Sequence, residues 1–236
     1  MNRAKETEIT INGRRNLDAT LIEKNGNDLG ILFLHGMTSS KTGYKKIAKK
    51  LDFSGVSLAV SLGGHGKSEG GFNNLTVTDL FQDSLNAYDF LRSKLSKNAK
   101  VIIVGSSVGG SLAALVSSQR TVDGLVLRAP ATYTDEMLIS PIPKLMEKEN
   151  QIFKEITNPF QTKPIQSLKK FEGKLLIIPS EFDQIIPKKI PEDYSKSATE
   201  AKHREIRFLI GAPHGISGSK FKNEFIKLVN DWLENF

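Results

Sequence analysis

A serine between two glycines is the residue of this chain best placed to do chemistry. Gly105, Ser107 and Gly109 form a Gly-x-Ser-x-Gly motif. The β-branched run Val101 to Val104 precedes the motif, and a helical pattern from Ser111 follows it. A serine in such a tight strand-to-helix turn is held in a strained conformation that exposes its hydroxyl, while the glycines spare the neighbouring backbone Cβ clashes. Ser107 is therefore a candidate nucleophile.

The motif also has a plainer interpretation. A glycine-rich turn between a strand and a helix can serve only to pack the helix on the sheet. The register of the motif has one solution, because Ser106 would need glycines at positions 104 and 108, where the chain has valines. A serine hydroxyl is a poor nucleophile at neutral pH unless a base removes its proton. Chemistry at Ser107 therefore requires a base, and a further residue to orient that base.

Periodic and apolar segments predict the elements that must hold these residues together. The chain has 236 residues, enough for one large domain with a full core. Alternation over Thr7 to Asn12 and Leu17 to Lys24 predicts an N-terminal antiparallel pair with a turn at Asn12-Gly13. Further short runs predict strands over Gly30 to His35, Ser57 to Ser61, Val101 to Val104, Gly124 to Arg128, Lys174 to Pro179 and Glu205 to Ile210.

Amphipathic segments lie between and after these runs. Thr78 to Leu95 places its apolar residues near one helical face, and Phe221 to Phe236 forms a closing amphipathic helix. Strands that alternate with helices, some of them apolar on both faces, predict an α/β fold with a mostly parallel sheet covered on both sides. Active sites in such sheets lie at the carboxyl ends of the strands.

Polar residues follow the predicted strands at that edge. His35-Gly36-Met37 comes after the third strand and Gly64-His65-Gly66 after the fourth. Ser107 follows the fifth strand, Asp183 the seventh and His214 the eighth. A serine, an aspartate and a histidine thus occur in this chain order, each at the same end of a different strand, which is the order described for hydrolases with a nucleophilic serine in α/β sheets.

At these residues the chain resembles small α/β hydrolases of the serine esterase, lipase and serine aminopeptidase type. The matching stretches are spread over nearly the whole chain: Leu34-His35-Gly36, Gly64-His65-Gly66-Lys67-Ser68, Gly105 to Gly110, Glu181 to Pro187 and Ala212-Pro213-His214-Gly215. The chain departs from the pattern at Ser106, where many members carry His or Tyr. The resemblance implies a three-layer α/β-hydrolase fold, with a mostly parallel eight-stranded sheet, helices on both faces and a small cap.

The resemblance and the chemistry together imply a role for each residue. Ser107 would be the nucleophile and His214 its base, since imidazole changes protonation near neutral pH. Asp183 would accept from the other imidazole nitrogen, fixing the tautomer and stabilising the imidazolium. The family pattern assigns the backbone N–H groups of Met37 and Val108 to the oxyanion hole.

Each of these residues could instead have a purely structural role. His214 could be an ordinary loop histidine, and Asp183 could cap the following helix or stay solvated. Glu181 is an alternative acid, although it lies close to the strand end, and Asp135, after the sixth strand, is another.

The other histidines are expected to be structural. His35 and His65 would form hydrogen bonds within loops near the oxyanion site, and His203 would lie at the surface. The chain has no cysteine, which excludes disulfides, Cys-ligated metals and a thiol nucleophile. No His/Asp/Glu cluster has the spacing of zinc ligands, so we expect neither a metal nor a cofactor.

An apolar segment broken by prolines, residues 131–171, lies between the sixth and seventh predicted strands. We predict a single domain, residues 1–236, in which this segment forms a cap that arches over the serine. Its Met- and Ile-rich face could line an acyl or aryl pocket, or could only bury the cap against the body. The first interpretation favours a carboxylesterase that acts on small to medium acyl or aromatic esters through an acyl-enzyme. The alternatives are a peptidase, amidase or thioesterase with the same triad, and a non-catalytic binding protein.

Composition indicates the partners and the compartment. The net charge is +7, but the lysines are spread over many segments among acids, so we expect a small-molecule ester and no nucleic acid. The chain has no run of 18 apolar residues, so no membrane span is predicted. The charged start of the chain lacks an apolar signal region, so we expect a cytoplasmic enzyme, with a processed secreted form as the alternative. The oligomeric state is not predicted.

Overall fold

The computed structural model describes residues 4–236, except for the side chains of residues 149 and 150. The first three residues of the charged N-terminal segment thus lie outside the described residues. The strands are β1 (Lys5–Ile11), β2 (Leu17–Lys24), β3 (Leu29–Leu34), β4 (Gly55–Val60), β5 (Lys100–Ser106), β6 (Gly124–Arg128), β7 (Lys174–Ile178), β8 (Ser180–Phe182), β9 (His203–Ile206) and β10 (Leu209–Pro213). Eight of these form one sheet in the order β1-β2-β4-β3-β5-β6-β7-β9. The pairs β1/β2 and β2/β4 are antiparallel and the others parallel.

Helices cover both faces of this sheet. They are α1 (Lys41–Lys50), α2 (Val77–Arg92), α3 (Val108–Ser117), α4 (Asp135–Ile139), α5 (Ile142–Met146), α6 (Glu149–Ile152), α7 (Lys163–Gln166), α8 (Lys189–Ser197) and α9 (Ser219–Leu233), with 3₁₀ turns at Phe72–Asn74 and Pro159–Gln161. Alternate side chains of β5 enter two separate cores, because successive residues of a strand point to opposite faces. Val101 and Ile103 pack on the side of α2, α3 and α8, whereas Ile102 and Val104 pack on the side of α1 and α9. The predicted three-layer α/β fold with an eight-stranded sheet is confirmed.

A capping box, rather than the apolar pattern, sets where helix α2 begins. Helix α2 was expected over Thr78 to Leu95 and occupies Val77–Arg92. Thr76 accepts a hydrogen bond from the Asp79 N–H, and the Asp79 side chain accepts one from the Thr76 N–H. This capping box satisfies two donors that no helical carbonyl can reach, and so begins the helix at Val77.

The prediction of a single last strand over Glu205 to Ile210 is wrong. The chain forms two strands there, β9 in the large sheet and β10 in a separate two-stranded ribbon, where β10 pairs in parallel with β8. Pro179 separates β7 from β8 and has no N–H to donate, so it interrupts the ladder on its own strand. Its carbonyl still accepts from the Leu209 N–H at 2.9 Å. The edge of the sheet therefore continues past Pro179 as the β8/β10 ribbon.

The segment between β6 and β7 packs against the side of the sheet covered by α2 and α3. Its apolar side chains Leu138, Ile142, Leu145 and Phe153 are buried in that core. The N–H of Ile142 donates to a backbone carbonyl of the body at 2.8 Å. These contacts favour the interpretation that the segment buries its apolar residues against the body. The cap boundaries at 131–171 and the single-domain organisation stay predictions. No helix among residues 4–236 has the length and apolarity needed to cross a membrane.

Candidate active site

Ser107 lies in the turn between β5 and α3 and has the strained backbone that its motif predicts. Its φ is +53° and its ψ is −118°, in a region that L-residues rarely adopt. Hydrogen bonds hold this geometry. The Ser107 N–H donates to the Arg128 carbonyl at 3.0 Å, and the Ser107 carbonyl accepts from the N–H groups of Gly110 at 2.9 Å and Ala131 at 3.1 Å.

The two glycines of the motif permit a close backbone approach. A Cβ on Gly105 would lie 2.1 Å from the Gly109 carbonyl oxygen, and a Cβ on Gly109 would lie 2.1 Å from the Leu34 carbonyl oxygen. Either contact is far inside van der Waals distance. Glycine at these positions therefore lets the first turn of α3 lie against the ends of β3 and β5, directly beneath Ser107.

The structure brings the three sequence-predicted side chains together. His214 Nε2 lies 3.3 Å from Ser107 Oγ. On the other side of the ring, His214 Nδ1 lies 2.8 Å from Asp183 Oδ2 and 3.0 Å from Oδ1. The Asp183 side chain is 5% exposed and that of His214 is 17% exposed. The imidazole can therefore donate from Nδ1 to the carboxylate and accept the hydroxyl proton at Nε2.

The β8/β10 ribbon positions the acid and the base. Asp183 follows β8 directly and His214 follows β10, so the parallel pairing of the two strands places both residues at one end of the ribbon. Asp183 Oδ1 also accepts from the N–H groups of Ile185 at 2.9 Å and Ile186 at 2.8 Å. Two backbone donors and an imidazole thus fix the orientation of the carboxylate.

Arg128 joins the ribbon to the large sheet, and sequence analysis did not single it out. It is the last residue of β6 and is 3% exposed. Its Nη2 donates to Ser180 Oγ at 2.8 Å and to the Pro213 carbonyl at 3.2 Å, so it links β6 to β8 and to the residue before His214. Burial lowers the pKa of the guanidinium from its ordinary value, although arginine keeps its charge in proteins. A charged residue ending an otherwise apolar strand was the signal in the sequence.

The two predicted oxyanion donors both lie beside the serine. Val108 is the first residue of α3. Its N–H is one of the first four of the helix, which have no hydrogen-bond partner within the helix. Met37 lines the same cavity as Ser107. The loop that carries Met37 is close to the elbow, since a Cβ on Gly36 would lie 3.6 Å from Ser107 Cβ.

His35 and His65 support this loop. The buried His35 ring accepts from the Leu62 N–H at Nε2, 2.9 Å away, and donates from Nδ1 to the Gly36 carbonyl at 2.8 Å. Burial lowers the pKa of His35 to about 4, so the ring is neutral at neutral pH. His65 Nε2 contacts the Met37 carbonyl, and the two rings meet edge to face with centroids 4.8 Å apart.

The alternative acids take part in other contacts. Glu181 accepts from the Gly211 N–H at 2.7 Å. Asp135 pairs with Lys163 at 3.1 Å, where its side chain is 69% exposed. His203 begins β9 and is exposed, as expected. Within residues 4–236, no group of three or more His, Cys, Asp or Glu side chains could hold a metal ion.

A cavity of about 420 Å³ opens beside Ser107 on the side of α1 and α9. It is lined by Gly36, Met37, Thr38, Ser39, Gly43, Tyr44, Ile47, Ser106, Ser107, Arg128, His214, Gly215, Ile216, Ser217, Lys222 and Phe225. None of these residues belongs to the segment 131–171, for which lining the pocket was one of two interpretations. The buried apolar residues of the segment belong to the core on the side of α2 and α3.

Comparison with known proteins agrees with this architecture. Residues 27–172 match the family model described as serine aminopeptidase, S33. No curated protein has a matching sequence. The Pyrococcus furiosus esterase Pf2001 has a TM-score of 0.72 at 20% identity, over 99% of this chain and 92% of that one. Est1E from Butyrivibrio proteoclasticus, solved with ferulic acid bound, has a TM-score of 0.73 at 18% identity, over 96% and 98%.

A third structure shows the same fold at lower identity. The peroxisomal α/β-hydrolase Lpx1 from Saccharomyces cerevisiae has a TM-score of 0.74 at 14% identity, over 100% of this chain and 90% of that one. Likeness at these identities shows the fold, while the family model covers more than half of the sequence. The chain is therefore a member of the serine aminopeptidase S33 family within the α/β-hydrolase superfamily.

Proposed function

We propose that this chain is a serine hydrolase that cleaves carboxylic esters of small to medium acyl or aromatic acids through an acyl-enzyme. One observation carries the proposal: His214 lies within 3.3 Å of the Ser107 hydroxyl and within 2.8 Å of the Asp183 carboxylate. Hydrogen bonds of a triad are often long in the absence of substrate and shorten when it binds. The strained backbone at Ser107 supports the same role, because strain of this kind is concentrated at functional sites.

The mechanism follows from the geometry. His214 Nε2 takes the hydroxyl proton as Ser107 Oγ attacks the ester carbonyl, and the N–H groups of Met37 and Val108 bind the resulting oxyanion. The imidazolium, stabilised by Asp183, then gives its proton to the departing alcohol. Water attacks the acyl-enzyme in the second half, with His214 again taking a proton, and releases the carboxylic acid and free Ser107.

Two observations favour an ester over a peptide as the substrate: the structural neighbours and the charge of the cavity lining. The structural neighbours include an esterase and an enzyme solved with ferulic acid bound. An aminopeptidase, the second candidate, is favoured by the description of the family model. It must recognise a free substrate ammonium, for which a carboxylate is the usual partner. The cavity lining contains the cations Arg128 and Lys222 and no Asp or Glu.

Labelling with a fluorophosphonate probe tests the assignment of Ser107. The wild-type protein should be labelled, and Ser107→Ala should lose both labelling and turnover, because Ser107 Oγ is the hydroxyl that faces His214 Nε2. Ser118→Ala is the control and should keep its labelling, because Ser118 lies at the C-terminal end of α3 and does not line the cavity. Ester turnover that persists in Ser107→Ala would end the proposal.

A substrate panel separates the remaining classes. p-Nitrophenyl esters of increasing acyl length, aminoacyl anilides and acyl-CoA thioesters should be compared by kcat/KM on one preparation. We expect the esters to be the best substrates. A higher kcat/KM on the anilides would assign a peptidase, and turnover of none of them by a labelled protein would point to a narrower acyl specificity than this panel covers.

A further inference from the structure

Arg128 is a buried cation with no carboxylate beside it. Its side chain is 3% exposed, and the two hydrogen bonds from Nη2 go to neutral oxygens, those of Ser180 and Pro213. Arg128 Nε is buried and has no hydrogen-bond partner. Among residues 4–236, no Asp or Glu oxygen lies within 4.0 Å of the guanidinium, the limit for the ion pairs found elsewhere in the molecule.

Such a charge is expensive to bury, so its presence needs an explanation. A buried ionised group without a partner destabilises the fold, whereas a neutral side chain could form the same two tethers at lower cost. The nearby Tyr44 does not compensate the charge, because burial raises the pKa of its phenol to about 12 and keeps it protonated. Asp183 attracts the guanidinium from beyond ion-pair distance, but its oxygens already bind His214 and backbone N–H groups.

The cation faces the place where a substrate would bind. Arg128 lines the cavity that also contains Ser107 and His214. Its Nη2 holds the carbonyl of Pro213, which adjoins His214, and its own carbonyl binds the Ser107 N–H. Lys222, half-buried, is a second cation of the same lining. The cavity lining thus has two positive charges and no negative one. The nearby carboxylate of Asp183 is bound to the far side of the His214 ring.

We propose that Arg128 binds a carboxylate of the substrate, so that the preferred substrates are esters that also carry a free carboxylate, such as the monoesters of short dicarboxylic acids. Guanidinium and carboxylate form short charge-assisted hydrogen bonds, and a bound carboxylate would neutralise the charge that the protein leaves without an ion-pair partner. The inference rests on the proposed ester hydrolysis at Ser107 and adds to it the charge of the substrate. The competing interpretation is that Arg128 only tethers the ribbon.

Matched substrates test the preference. Monomethyl glutarate should be compared with methyl 4-carbamoylbutanoate, its neutral isostere, by kcat/KM. We expect the carboxylate ester to be better by roughly 10- to 100-fold, the range for a hydrogen bond to a charged group. Monoesters of malonate to adipate would then give the spacing between ester and carboxylate. The pair 3-acetoxypropanoate and 3-acetoxypropanamide shows whether the carboxylate lies on the alcohol side instead.

Variants distinguish binding from tethering. Arg128→Met should lower the ratio of carboxylate to amide kcat/KM to about one, whereas Arg128→Lys should keep part of the preference because the charge remains. Ser180→Ala removes a tether but no charge, so it should lower both substrates together and leave the ratio unchanged. A wild-type ratio near one, or a wild-type ratio preserved in Arg128→Met, would overturn the proposal.

The outcome is separable from failure of the proposed function. If fluorophosphonate labels Ser107 and the neutral ester is hydrolysed, a missing preference refutes only the role of Arg128. If Arg128→Met does not fold, inhibition of the wild-type protein decides the question: pentanoate should compete with neutral ester at least about tenfold better than pentanamide. Equal inhibition by the acid and the amide would refute carboxylate recognition.

Discussion

The Asp183 side chain has more hydrogen-bond partners than the side chains of the other two residues of the candidate triad. Its Oδ1 accepts from two backbone N–H groups while both oxygens face His214 Nδ1. A carboxylate in this position requires the Nδ1–H tautomer of the imidazole. That tautomer leaves Nε2 as the acceptor for the Ser107 proton, so in the proposed mechanism Asp183 would contribute orientation as well as charge.

Replacing this carboxylate by an amide should therefore disrupt catalysis without disrupting the fold. We predict that Asp183→Asn lowers kcat on a p-nitrophenyl ester by roughly 10⁴-fold, because the amide favours the wrong tautomer. Glu181→Gln, at the acid two positions earlier in β8, is the matched control and should stay within about threefold of wild type. Steady-state kinetics with circular dichroism checks both, and an Asp183→Asn variant with near-normal kcat would contradict the assigned acid.

The identity of the acid was open in the sequence at the scale of single residues. Asp183 and Glu181 are two positions apart after the seventh predicted strand, and composition does not choose between them. The structure separates them because the chain turns at Asp183, which directs its carboxylate towards His214, while Glu181 binds the Gly211 N–H on the ribbon. The resemblance to hydrolases had already favoured Asp183, and its catalytic role stays a prediction.

Among the elements, the elbow between β5 and α3 depends most directly on the sequence. The motif of Gly105, Ser107 and Gly109 joins β5 to α3. It brings the start of α3 against the end of β3. The spacing leaves no room at Gly109, where a Cβ would meet the Leu34 carbonyl oxygen at 2.1 Å. Backbone cannot move aside as a flexible side chain would, so the helix itself would have to shift.

A pair of glycine-to-alanine substitutions tests this packing. Gly109→Ala should destabilise the protein by about 1–3 kcal/mol or more, as overpacking does, and should misplace Ser107 so that probe labelling slows. Gly43→Ala changes a glycine of helix α1 with nothing within 4 Å of the new methyl, so it should stabilise by about 0.5–1 kcal/mol. Urea denaturation measures both free energies of unfolding. A Gly109→Ala variant as stable as wild type would contradict the close approach.

The ribbon of β8 and β10 is the element that sequence analysis missed. Residues Glu205 to Ile210 contain no glycine or proline that would divide them, so the local pattern predicts one strand. Where a strand leaves one sheet for another depends on hydrogen bonds to a neighbour far along the chain. Here the neighbour is Pro179, which interrupts the ladder but still accepts from Leu209. Arg128 then ties both strands of the ribbon to β6.

For the whole molecule, acid stability depends in part on the buried His35. Burial lowers the pKa of this ring to about 4 from the ordinary value of 6.5. As pH falls below 6.5, the unfolded chain therefore takes up a proton before the folded protein does. His35 thus makes the free energy of unfolding decrease with falling pH, and most of its contribution is lost between pH 6.5 and pH 4.

We predict that His35 contributes about 2 kcal/mol to the loss of stability between pH 7 and pH 5. Urea denaturation at pH 7, 6 and 5 measures this dependence. His35→Gln should show a flatter pH dependence than wild type, whatever its absolute stability. Parallel curves for His35→Gln and wild type would contradict the low pKa of the buried ring.

The sequence by itself determined the class of fold, the elbow and the chain order of serine, aspartate and histidine. These are local properties: alternation of side chains, glycines beside a serine, and polar residues after apolar runs. The tertiary structure alone decided that β8 and β10 form a separate ribbon, that the segment 131–171 packs on the side of α2 and α3, and that Arg128 reaches the ribbon. Each of these depends on contacts between residues dozens of positions apart, which no local pattern encodes.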